Sequence, residues 1–295
     1  MSTIQTVKIM TDSSSISKII DAFPEEVLQR VLSNMAISEI VSICQTSEKA
    51  TKVCISAKKI WSRKLLKLST QQELRRFKKH SHLLRNVCQL DLGDELTEAD
   101  FHYLVSTCQA LKTVKITNLT IDFDDDHLKR LVQKHGRTLQ CLALDRSYLV
   151  TNAGVKLISD NCTNLSHLSL FGCMISDAAI NLLASSENLK RSLRYLDLGR
   201  CHLLNLGRIR SDLVSFKNLQ YLSLSHNDSC YKQGLQEVVQ KLTKLKTIDI
   251  SGCIEITRKD IRELSVRTDL NIVNTASIDD HSFDSIRSFL VSLTY

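Results

Sequence analysis

Apolar residues return along this chain in a fixed frame. From residue 87 onward, apolar-x-x-apolar-x-apolar recurs every 24 to 28 residues, as Val87/Leu90/Leu92, Leu111/Val114/Ile116, Leu139/Leu142/Leu144, Leu165/Leu168/Leu170, Leu193/Leu196/Leu198, Leu219/Leu222/Leu224 and Leu245/Ile248/Ile250. A weaker eighth copy begins at Leu270 with Val273. A period of this size marks a solenoid, in which each unit buries its apolar face only against its neighbours. Each copy predicts a short strand, a turn and a helix. In residues 165–191, Leu165, Leu168 and Leu170 point inward, Gly172-Cys173 turns the chain, and Met174 and Ile175 return to the core. Ser176 is placed to cap the next helix, with Asp177 against its positive end. Ile180, Leu182 and Leu183 make that helix's apolar face. Thr97-Glu98, Thr151-Asn152 and Thr257-Arg258 repeat the capping signal, whereas 204–217 lacks it and predicts an irregular helix.

Residues 20–66 follow a different pattern. Pro24, the only proline, is followed by Glu25 and Glu26, a good helix start. Val27, Leu28, Val31, Leu32 and Met35 then make one apolar face. Ser38 is placed to cap a second helix carrying Ile40, Val41, Ile43 and Cys44. Ala50, Val53, Cys54 and Ala57 give a third, followed by Trp61, the only tryptophan. Three helices of this size are marginal alone and gain stability by docking. At the other end, Phe283, Ile286, Leu290 and Leu293 fall at helical spacing and predict a cap for the last repeat.

The repeats resemble the cysteine-containing class of leucine-rich repeats, over roughly residues 83–275. Strand frame, turn cysteine (Cys173, Cys201, Cys253), capping residue and helix recur in that order, with Ser147 and Asn227 where the other units carry Cys. The segment FPEEVLQRVLSNMAISEIVSICQTSEKATKVCISAKKIWSRKL resembles an F-box. Phe23-Pro24-Glu25-Glu26-Val27-Leu28 stands where that family opens with Leu-Pro-x-Glu. Val31, Leu32 and Met35 continue its apolar positions, Glu39-Ile40 its acidic step and Ile60-Trp61 its closing pair. The family's middle Cys-Lys-x-Trp is absent, and Thr46-Ser47-Glu48-Lys49 stands there instead. The order of the two motifs resembles the F-box/leucine-rich-repeat proteins. The expected architecture is α/β: an N-terminal three-helix F-box followed by a curved leucine-rich-repeat solenoid, parallel strands inside and helices outside. Its expected parts are a disordered lead (1–19), the F-box (20–66), a basic helical connector (67–86), the solenoid (87–275) and a C-terminal capping helix (276–295).

Charge and cysteine content refine this. The net charge of the 295 residues is +7, yet residues 58–85 alone carry ten Lys/Arg and one acid, Glu73. Such a block fits nucleic acid, an acidic partner or a solvated helical connector. In the connector reading Leu65, Leu66, Leu68, Leu74 and Phe77 pack inward, while Lys58, Lys59, Lys64, Lys67, Arg75, Lys78 and Lys79 stay wet. The ten cysteines follow the repeat period and contain no C-x-x-C pair, which points to small buried side chains rather than disulfides or a metal site. Apolar runs are too short to span a bilayer, and the first residues lack a signal-peptide core. The expected setting is reducing, cytoplasmic and/or nuclear.

No P-loop, G-x-S-x-G or paired-His metal motif is present, so neither catalytic nor metal residues are assigned and no cofactor is implied. The run Asp122, Asp124, Asp125 and Asp126 precedes a helix near His127 and reads as capping rather than a calcium loop. The resemblance implies a substrate-recognition subunit of a Skp-cullin-F-box type ubiquitin ligase. Phe23, Pro24, Glu26, Val27, Val31 and Leu32 would dock a Skp-type adaptor and, through it, a cullin. Strand alternation puts His167, Ser169 and Phe171, Tyr195 and Asp197, Tyr221 and Ser223, and Thr247 and Asp249 on the concave face. Of these His167, Phe171, Tyr195, Asp197, Tyr221 and Asp249 are the candidate contacts to an unidentified protein target. The alternatives are a repeat scaffold whose front helices only cap the solenoid, an F-box protein without a degradation role, and nucleic-acid binding through residues 58–85.

Overall fold

The computed structural model describes residues 13–93, 95–116, 122–264 and 267–274, and the C-terminal capping helix expected at 276–295 lies outside them. Nine strands form one sheet, all parallel and in chain order: β1 (Leu65–Leu68), β2 (Gln89–Leu92), β3 (Thr113–Ile116), β4 (Cys141–Ala143), β5 (His167–Ser169), β6 (Tyr195–Asp197), β7 (Tyr221–Ser223), β8 (Thr247–Asp249) and β9 (Asn271–Val273). Helices α1 (Ser13–Ala22), α2 (Glu25–Asn34), α3 (Ile37–Thr46), α4 (Glu48–Ser56) and α5 (Lys58–Ser62) precede it. Between and behind the strands come α6 (Gln71–Lys78), α7 (Ser81–Leu84), α8 (Glu98–Thr107), α9 (Asp125–His135), α10 (Asn152–Asn161), α11 (Asp177–Ser185), α12 (Glu187–Ser192), α13 (Leu206–Leu213), α14 (Lys232–Lys241) and α15 (Arg258–Leu264). Hydrogen-bonded strands sit ~4.8 Å apart, whereas packed helices need ~8–10 Å, so the strand side closes and the sheet becomes the concave face.

Register follows the leucine frame. Leu90 pairs with Val114, Leu142 with Leu168, Leu168 with Leu196, and Leu222 with Ile248. These residues are all buried. The eighth copy is one residue shorter than the frame, since Ile272 and not Val273 pairs with Ile248. The sheet also begins one strand early. Leu66 and Leu68 pair with Leu90 and Leu92, so the stretch expected to open a helical connector is a strand, and helix appears there only in α6 and α7. Leu66, Leu68, Leu74 and Phe77 face inward as expected, but Leu65 is exposed, because alternation along β1 turns it away.

Turn residues explain why Cys and Asn interchange. Cys173 Sγ donates to Leu144 O at 3.3 Å, Cys201 Sγ to Leu170 O at 3.1 Å and Cys253 Sγ to Leu224 O at 3.2 Å. Asn227 does the same work, its Nδ2 donating to Leu198 O at 2.8 Å and to Leu224 O at 3.0 Å. Each group donates to a carbonyl at the end of the preceding repeat's strand; Leu144 O and Leu170 O also accept a backbone N–H, from Ser147 and Cys173. Just before it the chain takes positive φ, at Arg146 (62°), Gly172 (71°), Arg200 (53°), His226 (55°) and Gly252 (69°).

Capping signals are partly redirected. Thr97 and Thr151 cap as expected. Ser176 stands at the N-cap of α11 but makes no capping bond; its hydroxyl accepts from Asn152 Nδ2 at 2.7 Å instead. Asp125, read as capping its own helix, also reaches forward to the backbone N–H of Thr151 at 3.0 Å. The first helical residue of one repeat thus ties down the cap of the next. Between Ser176 and the core, Met174 is exposed rather than returned inward.

In the front unit, α3 starts at Ala36, not Ser38: Glu39 Oε2 accepts from Ala36 N at 2.7 Å, a bond Ser38 is too late to make. Ser47 caps α4 by accepting from Ala50 N, so the helix forms without the absent tryptophan. Trp61 is buried and donates to Cys54 O at 2.8 Å. The expected disordered lead holds helix α1, whose Ile20 is buried and whose Asp21 accepts from Ser47 Oγ at 2.9 Å. Asn86 Nδ2 donates to Ile55 O at 2.9 Å and joins this unit to the solenoid, with which it shares one continuous core.

Asn227→Ala should lower unfolding free energy by ~1–3 kcal/mol, since it takes the side-chain donor from the Leu198 carbonyl, while Leu224 O keeps Cys253 Sγ. Asn227→Cys should recover much of that loss, and exposed Lys217→Ala should stay within roughly ±0.5 kcal/mol. Denaturant midpoints for the three variants check this; equal shifts for N227A and N227C would contradict the turn assignment.

Candidate functional site

Helix α2 is apolar on two sides. Leu28 and Leu32 turn inward, Leu32 with no exposure at all, and pack into the front unit's core. Val27, Val31 and Phe23 turn outward and are 43%, 44% and 38% exposed. The resemblance to an F-box had put Leu32 among the adaptor contacts; the structure removes it, because a side chain filling its own core meets no partner. Pro24 and Glu26 are exposed at the start of the helix. Pro24 occupies the N-cap with φ −56° and ψ 146°, and both Glu25 and Glu26 sit in the first turn. Lys49 fixes the approach: its Nζ donates to Asp21 O at 2.8 Å and Phe23 O at 2.7 Å. At the far end Lys64 Nζ donates to Ser33 O at 3.0 Å and also to Met35 O. Exposed Ile19, just before this stripe in α1, was missed in the sequence, since it lay in the segment taken for a disordered lead.

The concave row forms as expected but is not open. His167, Tyr195 and Tyr221 pair in register across β5, β6 and β7. Their rings stack, with centroids 5.9 Å apart at 21° and 4.3 Å apart at 5°. Yet Tyr195 is only 1% exposed, and His167, Phe171, Asp197 and Tyr221 are buried too; Asp249 alone of the six is half-buried. The reading of an accessible aromatic row is therefore corrected. Alternation fixes which face a side chain is on, not how much water reaches it.

Burial on this face acts on its charges. Asp197 Oδ1 accepts from Gly199 N at 2.9 Å, and Asp145 Oδ1 accepts from Ser169 Oγ. The second oxygen of each finds no hydrogen-bond partner among the described residues. Desolvation pushes the Asp145 carboxyl up to about 6. Desolvation, with the neighbouring Asp145 charge, pushes Asp197 up to about 7. Burial pulls His167 down to about 4.

What the solenoid does expose lies on its rim, in the loops between each turn residue and the next helix. Tyr148, Leu149, Met174, Leu203 and Ile254 are all exposed there, Ile254 at 77%. Half-buried Arg146, Arg200 and His226 stand beside them at the positive-φ turns, and the Arg200 guanidinium lies over the Phe171 ring at 5.7 Å. The sequence signal was present, as apolar residues just after each turn position, but of these only Met174 was given a place, and that place was the core.

The basic segment is dispersed. Lys78 Nζ meets Asp100 Oδ1 at 2.7 Å, and Lys64 is partly enclosed, its burial lowering the ammonium below its usual range. Lys59, Arg63, Lys67, Arg75, Arg76 and Lys79 are exposed, as the connector reading expects. Among the described residues no helix is long and apolar enough to cross a membrane.

No family model matches this chain. A stretch of 110 residues is 29% identical to F-box/LRR-repeat protein 12 of Arabidopsis thaliana, covering 37% of this chain and 27% of that protein. The chain thus spans about a quarter of that relative's length. In fold it is similar to a chain in the crystal structure of the Rad7 and Elc1 complex in yeast, with a TM-score of 0.51 and 16% identity over 92% of this chain and 90% of that one. The sequence likeness is to an F-box/leucine-rich-repeat protein; the structural likeness establishes the shared fold.

The two raised aspartates define a pH test. An acid whose folded pKa exceeds its unfolded one stabilises at low pH, and that contribution is lost as pH rises from about 4 through 6 to 7. His167 acts in the opposite sense, its neutral form favouring the fold above its unfolded pKa. Asp197→Asn removes one acid and leaves His167 in place. The melting temperature of D197N relative to the unchanged chain should rise between pH 5 and pH 8; a difference independent of pH would contradict the burial of Asp197.

Proposed function

We propose that this chain is a non-catalytic substrate-recognition subunit of a Skp-cullin-F-box type ubiquitin ligase. The observation that carries the reading is the outward stripe of α2. A front unit that served only to cap the solenoid would turn its apolar residues toward the repeats. Here Leu28 and Leu32 fill the front unit's own core, while Phe23, Val27 and Val31 stay in solvent, the two valines on a helix flanked at both ends by lysine-to-carbonyl bonds. Exposed apolar side chains on a fixed element are what a partner surface needs. The position of this stripe, on the segment that resembles an F-box, supports a Skp-type adaptor as that partner and a cullin beyond it.

The target is then held by the solenoid. Its rim supports this better than its concave face, because Leu149, Met174, Leu203 and Ile254 are open whereas Tyr195 and Asp197 are not. With Arg146 and Arg200 alongside, the rim fits a protein surface combining apolar and acidic groups. The chain itself makes and breaks no bond in this reading. It raises the effective concentration of target lysines near a ubiquitin-conjugating enzyme carried by the same assembly. A nucleic-acid role through residues 58–85 has less support, since Lys64 and Lys78 are engaged within the fold.

The test uses the purified full chain and a purified Skp-type adaptor. Val27→Asp with Val31→Asp should abolish co-purification while shifting the melting temperature little, because both side chains are already wet. Leu32→Ala should lower stability by ~2–5 kcal/mol through the core of the front unit. Adaptor binding that survives the double aspartate variant, or is absent from the unchanged chain, would overturn the proposal. Ubiquitination of a captured target in a reconstituted ligase separates a degradation receptor from an F-box protein of other use.

A further inference from the structure

We propose that Glu98, His102 and His127 form a binding site for one divalent transition-metal ion of the zinc class, on the helical side between the first two full repeats. The proposal does not depend on the ligase reading.

The fold gathers the three residues from two helices. Glu98 opens α8 and His102 follows one turn later on the same face, where i and i+4 side chains are neighbours. His127 comes from the first turn of α9, about one repeat further on. His102 Nε2 and His127 Nε2 each lie 3.8 Å from Glu98 Oε1, and one ligand atom from each of the three falls within 4.8 Å of the others. These gaps are too long for hydrogen bonds. Tetrahedral coordination at ~2.0–2.1 Å needs the donors about 3.4 Å apart. Exposed Glu98 and half-buried His102 can supply that small contraction through their side-chain torsions.

The orientation of His127 is the second observation. Asp124, the N-cap of α9, accepts from the backbone N–H groups of Asp126 and His127 at 3.0 Å each. The same Oδ1 lies 2.6 Å from His127 Nδ1. Nδ1 thus faces an oxygen that already accepts two backbone N–H groups, and Nε2 is the ring nitrogen turned toward Glu98. That atom is buried, has no hydrogen-bond partner, and faces the carboxylate of Glu98. An acceptor nitrogen buried against an acceptor oxygen is unfavourable unless a cation stands between them. A carboxylate behind the distal nitrogen of a histidine is also the usual outer support of a metal-bound imidazole.

The floor is apolar. Phe101 and Phe123 pack on the His127 ring with centroids 5.7 Å and 5.5 Å away, and His102 stacks on it at 5.6 Å and 29°. Two imidazoles and one carboxylate suit zinc, with water in the fourth position, and do not suit calcium, which takes oxygen ligands. The ion would cross-link α8 to α9.

The experiment is a titration of the full chain, stripped with a chelator, with Zn²⁺ by calorimetry and with Co²⁺ by visible absorption. One ion per chain is expected, with a dissociation constant at or below about 1 µM and the d–d bands of four-coordinate nitrogen and oxygen ligands. His102→Ala, on an open helical surface, should fold as the unchanged chain does in chelator and bind at least ~10-fold more weakly. Asp124→Ala retains all three ligands and should weaken binding roughly 10- to 100-fold. Zinc should raise the melting temperature of the unchanged chain but not of H102A. No saturable binding would overturn the proposal. Binding of equal strength in H102A and His127→Ala would overturn it equally, assigning the ion to cysteine sulfur.

Discussion

One geometric requirement organises this molecule: a three- or four-residue strand must pass its hydrogen bonds to the next strand and still close the carbonyl at its own end. The parallel ladder meets the first half. The turn residue of the following repeat meets the second, through the thiols of Cys173, Cys201 and Cys253 or the amide of Asn227. A thiol is a weak donor, yet three of these four bonds use one, because the position must also be small and tolerate full burial. The positive-φ residue before each turn is the conformational cost of bringing that donor under the strand. Glycine accepts it freely at 172 and 252; Arg146, Arg200 and His226 accept it with strain, and in doing so hold their side chains at the rim.

Curvature then distributes accessibility. Closing the strand side draws every third, fifth and seventh position of the frame together, so large side chains there stack instead of reaching outward. The Tyr195 and Tyr221 rings at 4.3 Å are the clearest result. Their burial also raises Asp197 and Asp145 far above ordinary carboxylates. On the helical side spacing is wider, and the chain fills the gaps with long cations that satisfy helix ends. Arg267 donates to Val239 O, Leu242 O, Thr243 O and Leu245 O, and Lys134 to Val105 O at 3.0 Å. Part of the positive charge is thus built into the architecture, which reduces what net charge alone says about partners.

The sheet was legible because its signal is redundant: three apolar positions, a turn residue and a helix recur together. Where redundancy fails, so does the reading. The first strand was missed because Arg63 stands where the frame puts an apolar residue, although Leu66-x-Leu68 precedes Leu90-x-Leu92 by the 24 residues that separate the next pair. Met174 was misplaced because one apolar residue after a turn looks the same whether it points in or out. The concave contacts were misjudged because period-two alternation carries no information on curvature. The Glu98, His102 and His127 cluster was invisible to motif reasoning, which looks for ligands on one helix; the missing signal was that His127 follows His102 by about one repeat.

The front unit shows the same logic turned to a different end. In every repeat the apolar residues of a helix have a neighbouring unit to cover them, and exposed apolar positions fall in loops. Helix α2 departs from that rule, since Val27 and Val31 lie in its body, on a second apolar side one turn apart. Stability of the monomer does not call for them: Leu28 and Leu32 already fill the core, and polar residues at 27 and 31 would cost little. Lys49 and Lys64, by donating to backbone carbonyls at opposite ends of α2, hold that second side rigid at almost no expense in exposed charge. A stripe that folding does not require, presented on a helix that folding holds still, is what separates this segment from a mere cap for the solenoid.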